Sequence, residues 1–298
     1  MERTDGQIKT DDGYGLYFVK YGSGVPTLFV PNGIYLCRDF ERLAEKRVVV
    51  FYDVRNRGRS GAVSGAGVER GILHDVDDLE AIRRSFQVDR IDVLAHSYIA
   101  TVPVLYSLKH PTRMGRIVQM GPLPPFPGTE YPPDLKCEDD VFRDVLARLA
   151  RLEPERSTTD PVAFCHKFWD VLRPLYVADA ADAHKVRWER CEEPNERGAL
   201  RYFVQSLLPS IRALNLTEEQ LRAIQQPILV VHGRKDRSSP YGGGRDWARA
   251  LGNARLLTVD NAAHAPWIEE PDLVFGAIER FLDGDWPKGA ETLNGATM

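Results

Sequence analysis

Three residues of this chain combine the side chains of acyl-transfer chemistry with positions at the ends of apolar runs. Ser97 follows IDVLAH, Asp236 closes ILVVHGRKD, and His264 closes LLTVDNAAH. A serine hydroxyl becomes a useful nucleophile when a base takes its proton, and a histidine serves best when a carboxylate fixes its tautomer. Each residue alone has an ordinary explanation: a serine after a strand caps helices, and HGRKDRSSP and NAAHAP read as turns. Three separate strand ends carrying the three required groups point instead to a catalytic triad.

The elements that must position these residues are legible in the hydrophobic pattern. The chain has 298 residues, of which 43% are hydrophobic and 28% charged, enough for one large domain with an insertion. QIKT and LYFVK flank DDGYG as a hairpin, and TLFVP, RVVVFYD, IDVLAH and RIVQMG follow as strands covered on both faces. Helical spacing appears over Arg38 to Glu45, Gly71 to Phe86 and Tyr98 to Leu108. After Gly121 the proline-rich PLPPFPGTEYPPD ends the sheet text, and helical patterns hold from about Cys137 to about Ile224, including a Thr159-Asp160-Pro161 helix start. PILVVHG, DWARAL, ARLLTVD and DLVFGAIERFL then restore the alternation of strand and helix. The predicted fold class is α/β, a mostly parallel sheet of about eight strands flanked by helices. Residues 1–122 and 226–286 form its core, 123–225 a helical cap and 287–298 a loose tail. In such sheets ligands bind at the carboxyl ends of the strands, where Ser97, Asp236 and His264 fall.

Several stretches carry a family resemblance. YDVRNRGRS is similar to a D-x-R-G-x-G-x-S loop, DVDDLEAIRRSFQVDRIDVLAHS to the helix and strand that lead to a nucleophile, and NAAHAPWIEEP to a catalytic-histidine loop. In these the chain resembles the α/β-hydrolase superfamily over nearly its whole length outside the insertion and tail. The resemblance implies that Ser97 is the nucleophile, Asp236 the orienting acid and His264 the base of a serine hydrolase that forms an acyl-enzyme. It also implies backbone oxyanion donors at Tyr98 and Ile34. The departures cluster in the turns: Asn32-Gly33 stands where the family has His-Gly, Asn56 replaces a glycine, and the G-x-S-x-G elbow becomes Ala95-His96-Ser97-Tyr98-Ile99. Ile99 demands room against a neighbouring strand.

The remaining motifs narrow the function. A net charge of −4 lacks the basic face that nucleic acid or an anionic membrane requires. The charged start MERTDGQIKTDDG and the lack of an apolar run of roughly 18 residues predict a cytoplasmic chain that does not enter membranes. Cys37, Cys137, Cys165 and Cys191 are widely spaced and read as reduced. Gly61, Gly65 and Gly67 imitate a dinucleotide fingerprint without its strand-to-helix context. His74 and Asp78 imitate a metal site without a third ligand, so no cofactor and no metal are predicted. Asn32, Trp169, Glu192, Glu196 and Trp267 are the candidate pocket residues, set among lid aromatics that include Tyr176 and Trp188. The expected partners are a small acyl substrate and water. Two alternatives stand beside the esterase reading: an aminopeptidase like the proline iminopeptidases, whose lid carboxylates bind an amine, and a ligand-binding protein that retains the fold without turnover.

Overall fold

In the computed structural model, which describes residues 1–62, 70–157 and 159–293, nine strands form a mostly parallel sheet in the order β1-β2-β4-β3-β5-β6-β7-β8-β9. They are β1 Arg3–Lys9, β2 Gly15–Tyr21, β3 Leu28–Pro31, β4 Val49–Tyr52, β5 Ile91–His96, β6 Met114–Met120, β7 Ile228–Gly233, β8 Ala254–Val259 and β9 Ala290–Glu291. Every residue of β3, β4 and β7 is buried, which explains runs too apolar to alternate. The ninth strand corrects the expectation of a loose tail from residue 287: Leu256 pairs with Glu291 and Leu257 with Ala290, antiparallel. Residues 294–298 of that tail lie outside the described residues, as do Gly65 and Gly67 of the fingerprint-like run.

The chain divides into two compact units. Residues 1–95, 102–117 and 190–215 make the first, and residues 96–101, 118–189 and 216–298 the second. In the first, β1 and β2 form the predicted hairpin, with Ile8 opposite Leu16, and β3 pairs in parallel with β4 and β5. The helix expected at Arg38 begins earlier, at Gly33, immediately after β3, and ends at Phe40. Asn32 makes this abrupt entry by taking a left-handed φ of 63°. A Cβ at Gly33 would lie 3.0 Å from the Phe51 Cβ and the Tyr52 amide, so only glycine lets the helix start against β4. Helix Ile72–Ser85 buries Ile72, Val76, Leu79 and Ile82 at helical spacing, together with Asp78. Both Asp78 oxygens accept from Arg55, at 2.7 and 2.8 Å, and Arg55 also binds Asp12 at 2.6 and 2.7 Å. Asp78 thus neutralises a buried guanidinium.

In the second unit β7 and β8 pair in parallel from Ile228–Ala254 to Gly233–Val259. Helix Asp140–Leu152 starts at Asp139, whose carboxylate accepts from the Phe142 amide at 3.0 Å. Helix Pro161–Leu172 starts at Asp160 as the sequence predicts, with its carboxylate accepting from Val162 and Ala163. Val145, Leu152, Val171 and Leu175 are the apolar core of these helices. Cys37 and Cys137 are free thiols. No helix among the described residues is long and apolar enough to cross a membrane.

Candidate active site

β5 ends at His96, where the chain must turn from strand into helix. It does so at Ser97, with φ 60°, and continues as a 3-10 turn over Ser97–Thr101 into helix Val102–Lys109. A left-handed backbone costs a residue with a side chain about 1–2 kcal/mol, so the surrounding packing must impose it. Ala95 and Ile99 on either side are fully buried, while Ser97 itself is half-exposed. The turn therefore forms with isoleucine in place of the second glycine. Tyr98 is buried and follows Ser97 directly in the 3-10 turn, the position from which a backbone amide can face a group bound to the serine.

Asp236 and His264 meet in the same unit, at 2.8 Å between Asp236 Oδ2 and His264 Nδ1. Both are buried. Asp236 lies four residues after His232 of β7, whose Nε2 is 3.1 Å from the same Oδ2. Its other oxygen, Oδ1, accepts from the Ser238 and Ser239 amides, each at 2.8 Å. Burial by itself would raise the Asp236 pKa, but the His264 charge and hydrogen bonds from both imidazoles hold it well below the usual carboxylate range. The carboxylate stays ionised and fixed in rotation.

Two further residues that sequence reasoning missed shape this pair. Gly121, at the end of β6 with φ 49°, is where a Cβ would come 3.0 Å from His264 Nδ1 and 3.3 Å from Asp236 Oδ2. His96 donates from Nε2 to the His264 carbonyl at 3.0 Å, with the two rings 4.4 Å apart. Burial and the neighbouring His264 push His96 well below the usual histidine range, so it serves as a neutral donor. The histidine loop is tied further by Glu269, which accepts from Ala263 and Ala178, and by the Ala265 amide bonded to the Tyr176 carbonyl at 2.9 Å.

Trp169 and Trp267, expected in the pocket, are buried here in an aromatic cluster. Tyr176 lies 5.3 Å from the His264 ring, Trp267 4.9 Å from His96, and Trp188 stacks on Trp267 at 5.8 Å. Trp169 contacts Tyr176 and Trp188 at 6.2 and 6.4 Å. Nothing in the insertion's sequence distinguishes Tyr176 and Trp188 from aromatics that only hold helices together.

The other candidates belong to the first unit. Asn32 is buried, with its Oδ1 unpartnered among the described residues. The Ile34 amide faces the Asp53 carboxyl. Asp53 is itself pushed up to about 7 by burial, against the opposing amides of Arg59 and Ile34. Glu192 is exposed. Glu196 is buried, accepting from the Gly58 amide at 2.8 Å and the Tyr35 hydroxyl, with Arg57 3.5 Å away. Asn195 beside it donates to the Gly58 and Ser60 carbonyls. Glu196 thus ties residues 190–215 to the loop after β4.

Comparison with known proteins places the chain in one family. The model of the alpha/beta hydrolase fold matches residues 27–271. A proline iminopeptidase of Heyndrickxia coagulans is 24% identical over 89% of this chain and 93% of its own. A 2-hydroxymuconate semialdehyde hydrolase of Pseudomonas putida is 22% identical over 91% of each chain. Among solved structures, the 2-hydroxy-6-oxo-6-phenylhexa-2,4-dienoate hydrolase of Rhodococcus sp. strain RHA1 superimposes with a TM-score of 0.71 at 18% identity, covering 95% of this chain and all of its own. With the family model spanning most of its length, the chain belongs to the alpha/beta hydrolase fold family.

Proposed function

We propose that the protein is a serine hydrolase that cleaves a small ester, amide or related acyl substrate through Ser97, His264 and Asp236. The observation that carries this reading is the left-handed Ser97 at the strand-to-helix turn, since few reasons other than presenting a hydroxyl justify holding a serine there. The Asp236–His264 pair in the same unit supports it. His264 takes the Ser97 proton through Nε2 while Oγ attacks the carbonyl carbon, and the tetrahedral oxyanion meets the Tyr98 amide. His264 then gives that proton to the leaving group, and the acyl-enzyme remains. Water attacks next, losing its proton to His264, which returns it to Ser97 as the acid departs. Asp236 keeps the Nδ1–H tautomer throughout.

Residues 123–225 serve in this reading as the cap, and the aromatic rings of Trp169, Tyr176, Trp188 and Trp267 favour an apolar acyl group. Amine recognition through Glu196 loses its support because that carboxylate is already engaged. A panel of p-nitrophenyl acyl esters run beside a prolyl amide tests the proposal. Short esters should turn over faster, with turnover lost in Ser97→Ala; hydrolysis that persists in that variant would refute it.

A further inference from the structure

We infer that His232 is a positioning residue for the reaction, a second imidazole that shares the acid's carboxylate with the base; the inference rests on the serine-hydrolase reading for its link to turnover. His232 Nε2 lies 3.1 Å from Asp236 Oδ2 and 3.2 Å from the Ser239 carbonyl. A carbonyl only accepts, so Nε2 carries the proton and donates. Nδ1 is buried without a partner among the described residues, consistent with a bare lone pair. The ring is 0% exposed and cannot swing away. Because Oδ1 is filled by two amides, Oδ2 alone serves both histidines. Each donor to a carboxylate oxygen withdraws charge from the other, so His232 moderates how strongly Asp236 holds a proton on His264.

The surroundings suit this role. Gly244 faces the ring, and a Cβ there would fall 2.3 Å from Nδ1. Tyr241 meets the ring in an edge-to-face arrangement at 5.8 Å, with its hydroxyl bonded to Thr258 and the Arg234 guanidinium over its face. Among the described residues, His96 also interacts electrostatically with both histidines, and it is held neutral by burial.

Three variants test the inference: His232→Leu removes the donor, His232→Gln restores an N–H near the Nε2 position, and Gly244→Ala displaces the ring. The readouts are the acid limb of the pH–rate profile for a short acyl ester and the downfield His264 Nδ1–H proton resonance, which needs no turnover. Losing the second donor strengthens the His264–Asp236 bond. The leucine and alanine variants should therefore move the acid limb upward by roughly half a unit and shift the resonance further downfield, while glutamine stays near wild type. An unmoved resonance and limb in a folded leucine or alanine variant overturns the inference. If wild type shows neither ester turnover nor labelling by a fluorophosphonate, the hydrolase reading fails, yet the resonance still decides whether His232 acts on the pair.

Discussion

Gly121→Ala should damage the proposed reaction more than the fold, and the size of the effect can be worked from two contacts. An alanine Cβ would sit 3.0 Å from His264 Nδ1 and 3.2 Å from Cε1, where ordinary contact begins at 3.4 Å. The imidazole is 1% exposed, so it must retreat by about half an ångström within packed surroundings. A misplacement of about 1 Å costs roughly 100-fold in rate, so half of that predicts about a tenfold loss of kcat/KM for a short acyl ester. The left-handed φ of 49° adds about 1–2 kcal/mol of backbone strain, or a fall of roughly 3–6 °C in Tm. Gly128→Ala is the control, because Gly128 has φ 83° and no atom within 4 Å of its Cβ position. It carries the strain without the contact. Stopped-flow or steady-state esterase assays with differential scanning calorimetry read both quantities. If Gly121→Ala retains kcat/KM within twofold of the control, the claim that this glycine sets the His264–Asp236 geometry is refuted.

Other consequences follow from single groups. Asp53 has a folded-state pKa of about 7 against an unfolded value of 3.8, so its contribution to stability is complete below about pH 4 and lost as pH rises through 7. Three pH units at 1.36 kcal/mol each bound that loss at about 4 kcal/mol; urea titrations should find this slope absent in Asp53→Asn, and an unchanged slope contradicts it. Arg55→Met leaves Asp78 buried without its bidentate partner and should cost about 3–5 kcal/mol in chemical denaturation, with Arg55→Met/Asp78→Leu recovering much of it. A loss below 1 kcal/mol would show that the pair is not a structural keystone. Asp236→Asn should lower kcat by roughly four orders of magnitude by favouring the wrong His264 tautomer, with KM for the ester little changed; a loss of tenfold or less would argue against the assigned acid.

The sequence makes the triad candidates legible because each stands at the end of a buried strand, and strand ends are what apolar runs report best. The same runs are silent on direction inside the sheet, so nothing in ILVVHG announces that His232 turns toward Asp236. Gly121 read as punctuation before a proline-rich stretch; its steric role depends on two residues more than a hundred positions away. Helix entry at Gly33 was hidden for another reason. The usual cap signals are absent there, and Asn32 in a left-handed conformation replaces them. Glu196 shows another limit: an acidic stretch marks a carboxylate as a pocket candidate, but its engagement by the Gly58 amide and the Tyr35 hydroxyl is visible only in the fold. The tail beyond residue 287 looked polar enough to be loose, yet two residues sufficed to add a strand beside β8.

The central claim is that Ser97 is a nucleophile, and covalent labelling tests it without knowledge of the substrate. The protein should react with a fluorophosphonate probe, and mass spectrometry of the digested adduct should place one phosphonyl group on Ser97, with no adduct in Ser97→Ala. A native protein that stays unlabelled beside a labelled control hydrolase, or an adduct on any other residue, would contradict the account.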